Sequence, residues 1–113
     1  MSKLISWQHF VEVELRVGTI VRVQDFPKAR KPAYQLWIDF GPELGEKCSS
    51  AQITSLYTKE ELLGRQIIAV TNFPVRQIAN FFSEVLVTGF PDAEGNIVLS
   101  QPDRLVPNGT RLA

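Results

Sequence analysis

The sequence has one cysteine, one histidine, no excess of either charge and no long apolar run. Each absence removes a class of chemistry. A lone thiol, Cys48, cannot form an internal disulfide, which fits a reducing cytoplasm. Cys48 and His9 fall short of the roughly four ligands that a structural zinc needs. A Ser-His-Asp set would need His9 as its base, and nothing around it in "SWQHFVEV" suggests that role, so it reads as a surface or interface residue. "GPELG" lacks the lysine and the following helix of a phosphate-cradling loop. Glu60 and Glu61 are adjacent acids, but they fall in the first turn of a predicted helix, where dipole and cap account for them. No catalytic group, metal or cofactor is therefore expected. No stretch approaches the ~20 apolar residues of a membrane span. "MSKLISWQHFVEVEL" has neither an apolar h-region nor a cleavage site, so neither a signal peptide nor membrane insertion is expected. Twelve cationic side chains balance twelve acidic ones, so any nucleic-acid role has to come from local clustering.

The 113 residues suit one domain, 1–113, with an N-terminal helical segment over 1–12 and a turn-rich C-terminal extension over 101–113. "SWQHFVEV" predicts a short helix capped by Ser6, with Trp7, Phe10 and Val11 on one side. "ELRVGTIVRVQDF" has strand periodicity, with Gly18 read as a bend or bulge and Arg16 and Arg22 on one face. "PKARKPA" is a loop, "YQLWIDFG" and "KCSSAQI" are strands, and "GPELGE" between them is a turn. "TKEELLG" carries a capping box, Thr58 with Glu61, and a stop at Gly64. "QIIAVTN", "SEVLVTGF" and "IVLSQ" are further strands, with "NFPVRQIANFF" as the loop entering the second of them. Five or six short strands with a helix between the third and fourth give an all-β class. That is the order of an oligonucleotide/oligosaccharide-binding (OB) fold, a five-stranded Greek-key barrel; SH3-like barrels and other small β folds compete with it.

Two clusters stand out as binding features. Lys28, Arg30 and Lys31 lie in a proline-braced loop, and Arg76 lies in the phenylalanine-rich segment Asn72–Phe90. Cations there could contact phosphates, with Phe81 or Phe82 stacking on bases; the same loop also reads as a plain solvated basic loop. Phe81 and Phe82 are consecutive, so in an extended chain one faces the core and the other is exposed or covers a pocket. Asn72 either closes a turn or offers a donor and acceptor to a ligand. Cys48 reads as a buried free thiol.

"VGTIVRVQDFPKARKPAYQLWIDFG", "KCSSAQIT", "IIAVTNFPVRQIANFFSEVLVTG" and "QPDRLVPNGTRLA" together resemble the tRNA-binding-domain family, and within it the CsaA-like chaperones. The same domain ends some methionyl-tRNA synthetases and appears in EMAP-II-like cytokine precursors. The resemblance implies an OB barrel acting as a cytoplasmic homodimer, with flanking segments making the subunit contact through Ile5, Trp7, Phe10, Val11, Leu105, Val106 and Pro107. It implies a chaperone in protein secretion that binds unfolded or precursor polypeptides, expected here to be apolar-basic segments in a groove of Trp37, Phe73, Arg76, Phe81 and Phe82. The alternative is a stand-alone tRNA-binding protein using Lys28, Arg30, Lys31, Asn72, Arg76 and Ser83, the last carried over from the nucleic-acid face of relatives. Glu84, and Phe82 where relatives are polar or basic, depart from the tRNA-binding pattern and favour the polypeptide reading.

Overall fold

A computed structural model describes residues 2–113. In chain order the elements are α1 (Trp7–Glu12), β1 (Leu15–Asp25), β2 (Tyr34–Asp39), α2 (Gly41–Leu44), β3 (Glu46–Ala51), α3 (Lys59–Leu62), β4 (Gln66–Val70), β5 (Arg76–Ile78), β6 (Phe81–Ser83), β7 (Leu86–Val87), β8 (Gly89–Pro91) and β9 (Ile97–Leu99). The long β1 serves two neighbours in turn. Its first part, Leu15–Thr19, pairs with β4, and Thr19–Asp25 pairs with β2. Adding β3 beside β2 and β7 beside β4 gives the antiparallel order β3-β2-β1-β4-β7. Four antiparallel steps bring β3 and β7 round parallel to each other. They meet where Glu84 N donates to Cys48 O at 2.8 Å, and there the sheet nearly closes into the five-stranded OB barrel. Helix α3, between β3 and β4, buries Leu62 completely in the core beside Ile20, Leu36, Ile38, Phe40 and Ile67.

Several local expectations change. The bulge in β1 lies between Ile20 and Arg22, not at Gly18. The extra residue reverses the alternation, so Ile20 and Val23 both face the core while Val21 and Arg22 face out. Arg16, in phase with buried Gly18 and Ile20, therefore lies on the opposite face from Arg22. Gly18 is required for a close approach: a methyl there would stand 2.5 Å from Ile38 Cγ2 and 2.8 Å from the Phe40 ring. "GPELGE" is a helical turn rather than an open one, because Pro42 opens it at a position where no N–H is needed. "NFPVRQIANFF" is not a plain loop but contains the hairpin β5–β6, turning through Ala79 at φ 53°. "SEVLVTGF" is three short strands rather than one, since Glu84 and Val85 both turn their N–H groups to Cys48 O.

The C-terminal extension is a strap. Gly109 N donates to Val17 O at 2.7 Å, Val17 N to Thr110 O at 3.0 Å and Leu112 N to Leu15 O at 2.8 Å, so the strap fills the edge of β1 that β2 leaves uncovered. Asn108 Oδ1 accepts from Thr19 Oγ1 at 2.8 Å and from Gln66 Nε2 at 3.1 Å. Among the described residues no helix is long and apolar enough to cross a membrane.

Gly18→Ala is expected to destabilise the protein by about 1–3 kcal/mol through overpacking against Ile38 and Phe40. A lowered urea midpoint with unchanged m-value checks it; a neutral result would mean that Ile38 and Phe40 re-pack freely.

Candidate functional site

The β1–β2 loop and the β5–β6 hairpin border one groove of about 1190 Å³. Its walls are the end of β3 with Gln52 and Ile53, the hairpin residues Arg76–Ala79, and the run Leu86–Gly89. Beyond Cys48 the two closing strands splay, and the groove is the resulting gap. Arg30, Lys31 and Arg76 stand on its lining, and no carboxylate does. All three cations are exposed and none is ion-paired among the described residues. The two cationic clusters, 45 residues apart in sequence between Lys31 and Arg76, thus converge on one site. Lys28 is exposed in the same loop but does not border the groove. A second pocket, about 440 Å³, adjoins the first and shares Ser50, Arg76, Ile78 and Leu86 with it; Phe73, Pro74 and Val75 form its apolar side and Glu84 is its one carboxylate.

The aromatic residues divide into two groups. Phe81 packs edge-on against Phe26 at 5.5 Å and Trp37 at 5.8 Å, and the Arg22 guanidinium lies 4.4 Å from the Trp37 ring centre. Trp37 and Phe81 therefore brace the hairpin against the outer face of β2 and line neither pocket. Register explains the rest: Arg76 pairs with Ser83 and Ile78 with Phe81 on the barrel side, while Gln77 pairs with Phe82 on the other side. Phe82 is 57% exposed and faces away from both pockets; Phe73, 54% exposed, borders the smaller one with Arg76.

Two positions expected to face nucleic acid are already engaged. Ser83 is 8% exposed, and its hydroxyl accepts from Ser50 N at 3.1 Å and donates to Val85 O at 3.4 Å. Asn72 accepts from Glu14 N at 3.0 Å and donates to Glu12 O at 2.7 Å, so both ends of its amide tie the end of α1 to the barrel. Arg16 is also internal. It bonds Glu14 at 2.9 Å and Gly109 O at 3.0 Å, with Glu43 at 3.5 Å. The polar groups of Asn72 and Ser83 are thus engaged by partners remote in sequence. Groove residues Gln52 and Thr88 carried no sequence signal, because only the fold brings the end of β3 and the run Leu86–Gly89 to one groove.

Cys48 is half-buried rather than buried; its single S–H has two acceptors within reach, Phe82 O at 3.0 Å and Glu84 Oε1 at 3.3 Å. Burial, then the Glu84 carboxylate, pushes the thiol up to about 11. The flanking segments leave apolar surface uncovered. Helix α1 buries none of its residues, its box made by Ser6 with His9 rather than an acid. Ile5 and Trp7 are exposed, Phe10 and Val11 half-buried, and Trp7 and Phe10 stack at 5.3 Å. Leu105 is 85% exposed and Pro107 is exposed, whereas Val106 is half-buried, its N–H on Gln66 Oε1 at 3.2 Å. Arg111 donates to Val11 O, so strap and helix hold each other. Among the described residues no cluster of three His, Cys, Asp or Glu could hold a metal ion.

Residues 15–111 match a family model described as a putative tRNA binding domain. The structure is similar to the chaperone CsaA of Bacillus anthracis, with 49% identity, TM-score 0.90 and coverage of 98% of this chain and 100% of that one. It is similar to the CsaA chaperone protein of Picrophilus torridus at 50% identity and TM-score 0.91, covering 97% and 100%. A methionine–tRNA ligase of Thermococcus onnurineus is 32% identical over 108 residues, which are 96% of this chain and 14% of the ligase. The chain thus spans about a seventh of the length of the curated relatives it matches.

The Glu14 carboxyl is held below its ordinary range, first by the Thr71 hydroxyl at 2.7 Å and next by Arg16. A depressed carboxyl stabilises the fold above its unfolded value of 4.5 and loses that contribution as pH falls through the lower folded value. Thermal midpoints are expected to drop on acidification below that point, and to drop less in Glu14→Gln. Equal drops would place the acid sensitivity elsewhere. Cys48 is expected to resist alkylation at pH 8 in the folded protein and to react once the protein is unfolded in urea; equal rates would mean an open, ordinary thiol.

Proposed function

The chain belongs to the tRNA-binding domain family, and from that membership and the form of its groove we propose that it is a CsaA-like homodimeric chaperone that binds unfolded or precursor polypeptides in protein export. The observation that carries this reading is the groove itself. It combines apolar walls from Ile53, Ile78, Leu86 and Val87 with a cationic rim, in a chain similar over nearly its whole length to two CsaA chaperones. Apolar walls take client side chains by burial. The rim selects charge: three cations without a carboxylate repel basic segments and favour neutral or acidic ones. The client class is thus acidic-apolar rather than apolar-basic. The work is binding alone, and the homologous segment of the ligases is likewise a small part outside their larger remainder. Exposed Ile5, Trp7 and Leu105 support a subunit contact through α1 and the strap. Two grooves per dimer would hold one unfolded chain by avidity.

A second reading is supported by the same rim. Arg30, Lys31 and Arg76 are free cations beside the loops that OB folds use for nucleic acid, so tRNA is the alternative ligand. The balanced net charge limits how many phosphates such a face could neutralise.

The purified protein is titrated with an acidic-apolar unfolded peptide and with tRNA at low and high salt. Peptide binding that survives high salt is expected, with Arg76→Ala weakening it about tenfold or more. Phe82→Ala, outside both pockets, is expected to leave it within about threefold. Binding of tRNA alone, with steep loss of affinity in salt and on replacing Arg30 and Lys31, would select the second reading instead.

A further inference from the structure

The groove wall along β7 and β8 is an unpaired sheet edge. Thr88 N donates to Ile68 O at 3.0 Å, and Thr88 O accepts from Ser100 N at 3.1 Å. Both main-chain groups of Thr88 therefore point toward β4 and the residue following β9. Adjacent residues of a strand direct their main-chain groups to opposite edges. The N–H and C=O of Val87 and Gly89 accordingly turn the other way, into the groove that both residues line. No loop or side-chain group caps them among the described residues. The facing edge of β3 is treated differently. There Cys48 O takes Glu84 N, and Ser50 N is capped by Ser83 Oγ at 3.1 Å. One side of the gap is thus sealed and the other is open.

From this we propose that the client joins the barrel as an added strand, an extended polypeptide pairing antiparallel with Val87 and Gly89 along the groove wall. This deepens the polypeptide-binding reading and rests on it. Main-chain pairing explains how one groove could accept many sequences, since every residue except proline offers the same donor and acceptor. Side chains on alternate positions then meet different surroundings, with acidic ones satisfied by Arg30, Lys31 or Arg76. A nucleic acid has no regular row of N–H and C=O groups at strand spacing and would leave Val87 and Gly89 unpaired.

The test uses the intact protein and a short capped peptide of alternating valine and glutamate. Two further versions carry backbone N-methyl groups, one at every valine and the other at every glutamate, so that each blocks one edge of the extended peptide. One methylated version is expected to lose about tenfold or more in affinity and the other to stay within about threefold. Amide exchange at Val87 and Gly89 is expected to slow when the unmodified peptide saturates the protein. Equal affinity of all three peptides, or equal loss in both methylated ones, would overturn strand addition while leaving polypeptide binding in place. No binding of the unmodified peptide would overturn both. Slowed exchange at Val87 and Gly89 with a single-stranded RNA oligonucleotide but not with the peptide would overturn the proposal in favour of nucleic acid.

Discussion

Cys48 is the point at which the barrel is closed. Its carbonyl takes Glu84 N, and its own N–H is taken by the Glu84 carboxylate at 3.1 Å, a side chain standing in for the missing strand residue. Closure this short has two effects. It holds the hairpin β5–β6 beside β3, where Phe81 can pack on Trp37 and Phe26. It also leaves β3 and β7 free to part on the far side, and that parting is the larger groove. The same contact explains why Glu84 interrupts what would otherwise be one continuous strand. Core, hairpin and groove are consequences of where two parallel strands stop pairing.

What was legible in the sequence follows from the range of the interactions. Capping is local, so Ser6 and Thr58 marked their helices, and Gly64 marked the stop of α3. Period-two alternation marked β1, and short apolar or small-residue runs between turns marked β2 to β4; the position of α3 among them was enough to point to the OB order. The opposed fates of Phe81 and Phe82 also followed from strand geometry alone. Gly41-Pro42 was read for its turn character when Pro42 was serving a helical first turn. The three-residue strands of the hairpin were too short to show a period.

The engagement of Asn72 and Ser83 was hidden for a different reason. Each is polar at the edge of an apolar run and so reads as a ligand contact. Their partners lie far along the chain: Glu12 and Glu14 for Asn72, and Ser50 for Ser83. A bulge between Ile20 and Arg22, rather than at Gly18, was enough to move Arg16 and Arg22 to opposite faces. Arg30, Lys31 and Arg76, by contrast, were legible as clustered cations; none is ion-paired among the described residues, and their convergence needed only the hairpin to fold back over β3.

The strap along β1 has a consequence in time rather than in space. Val17 and Thr110 are hydrogen-bonded across nearly the whole chain, so that edge of β1 has no partner while the intervening residues are being synthesised. The β1–β2 pairing and α3 can form early, because their contacts are near in sequence. The strap, Arg111's hold on α1 and the ordering of the exposed N-terminal helix come last, since they must close the longest loops. A chain paused before this stage therefore presents an unpaired β1 edge beside Trp7 and Phe10, and for that interval it resembles the unfolded polypeptides it is proposed to hold.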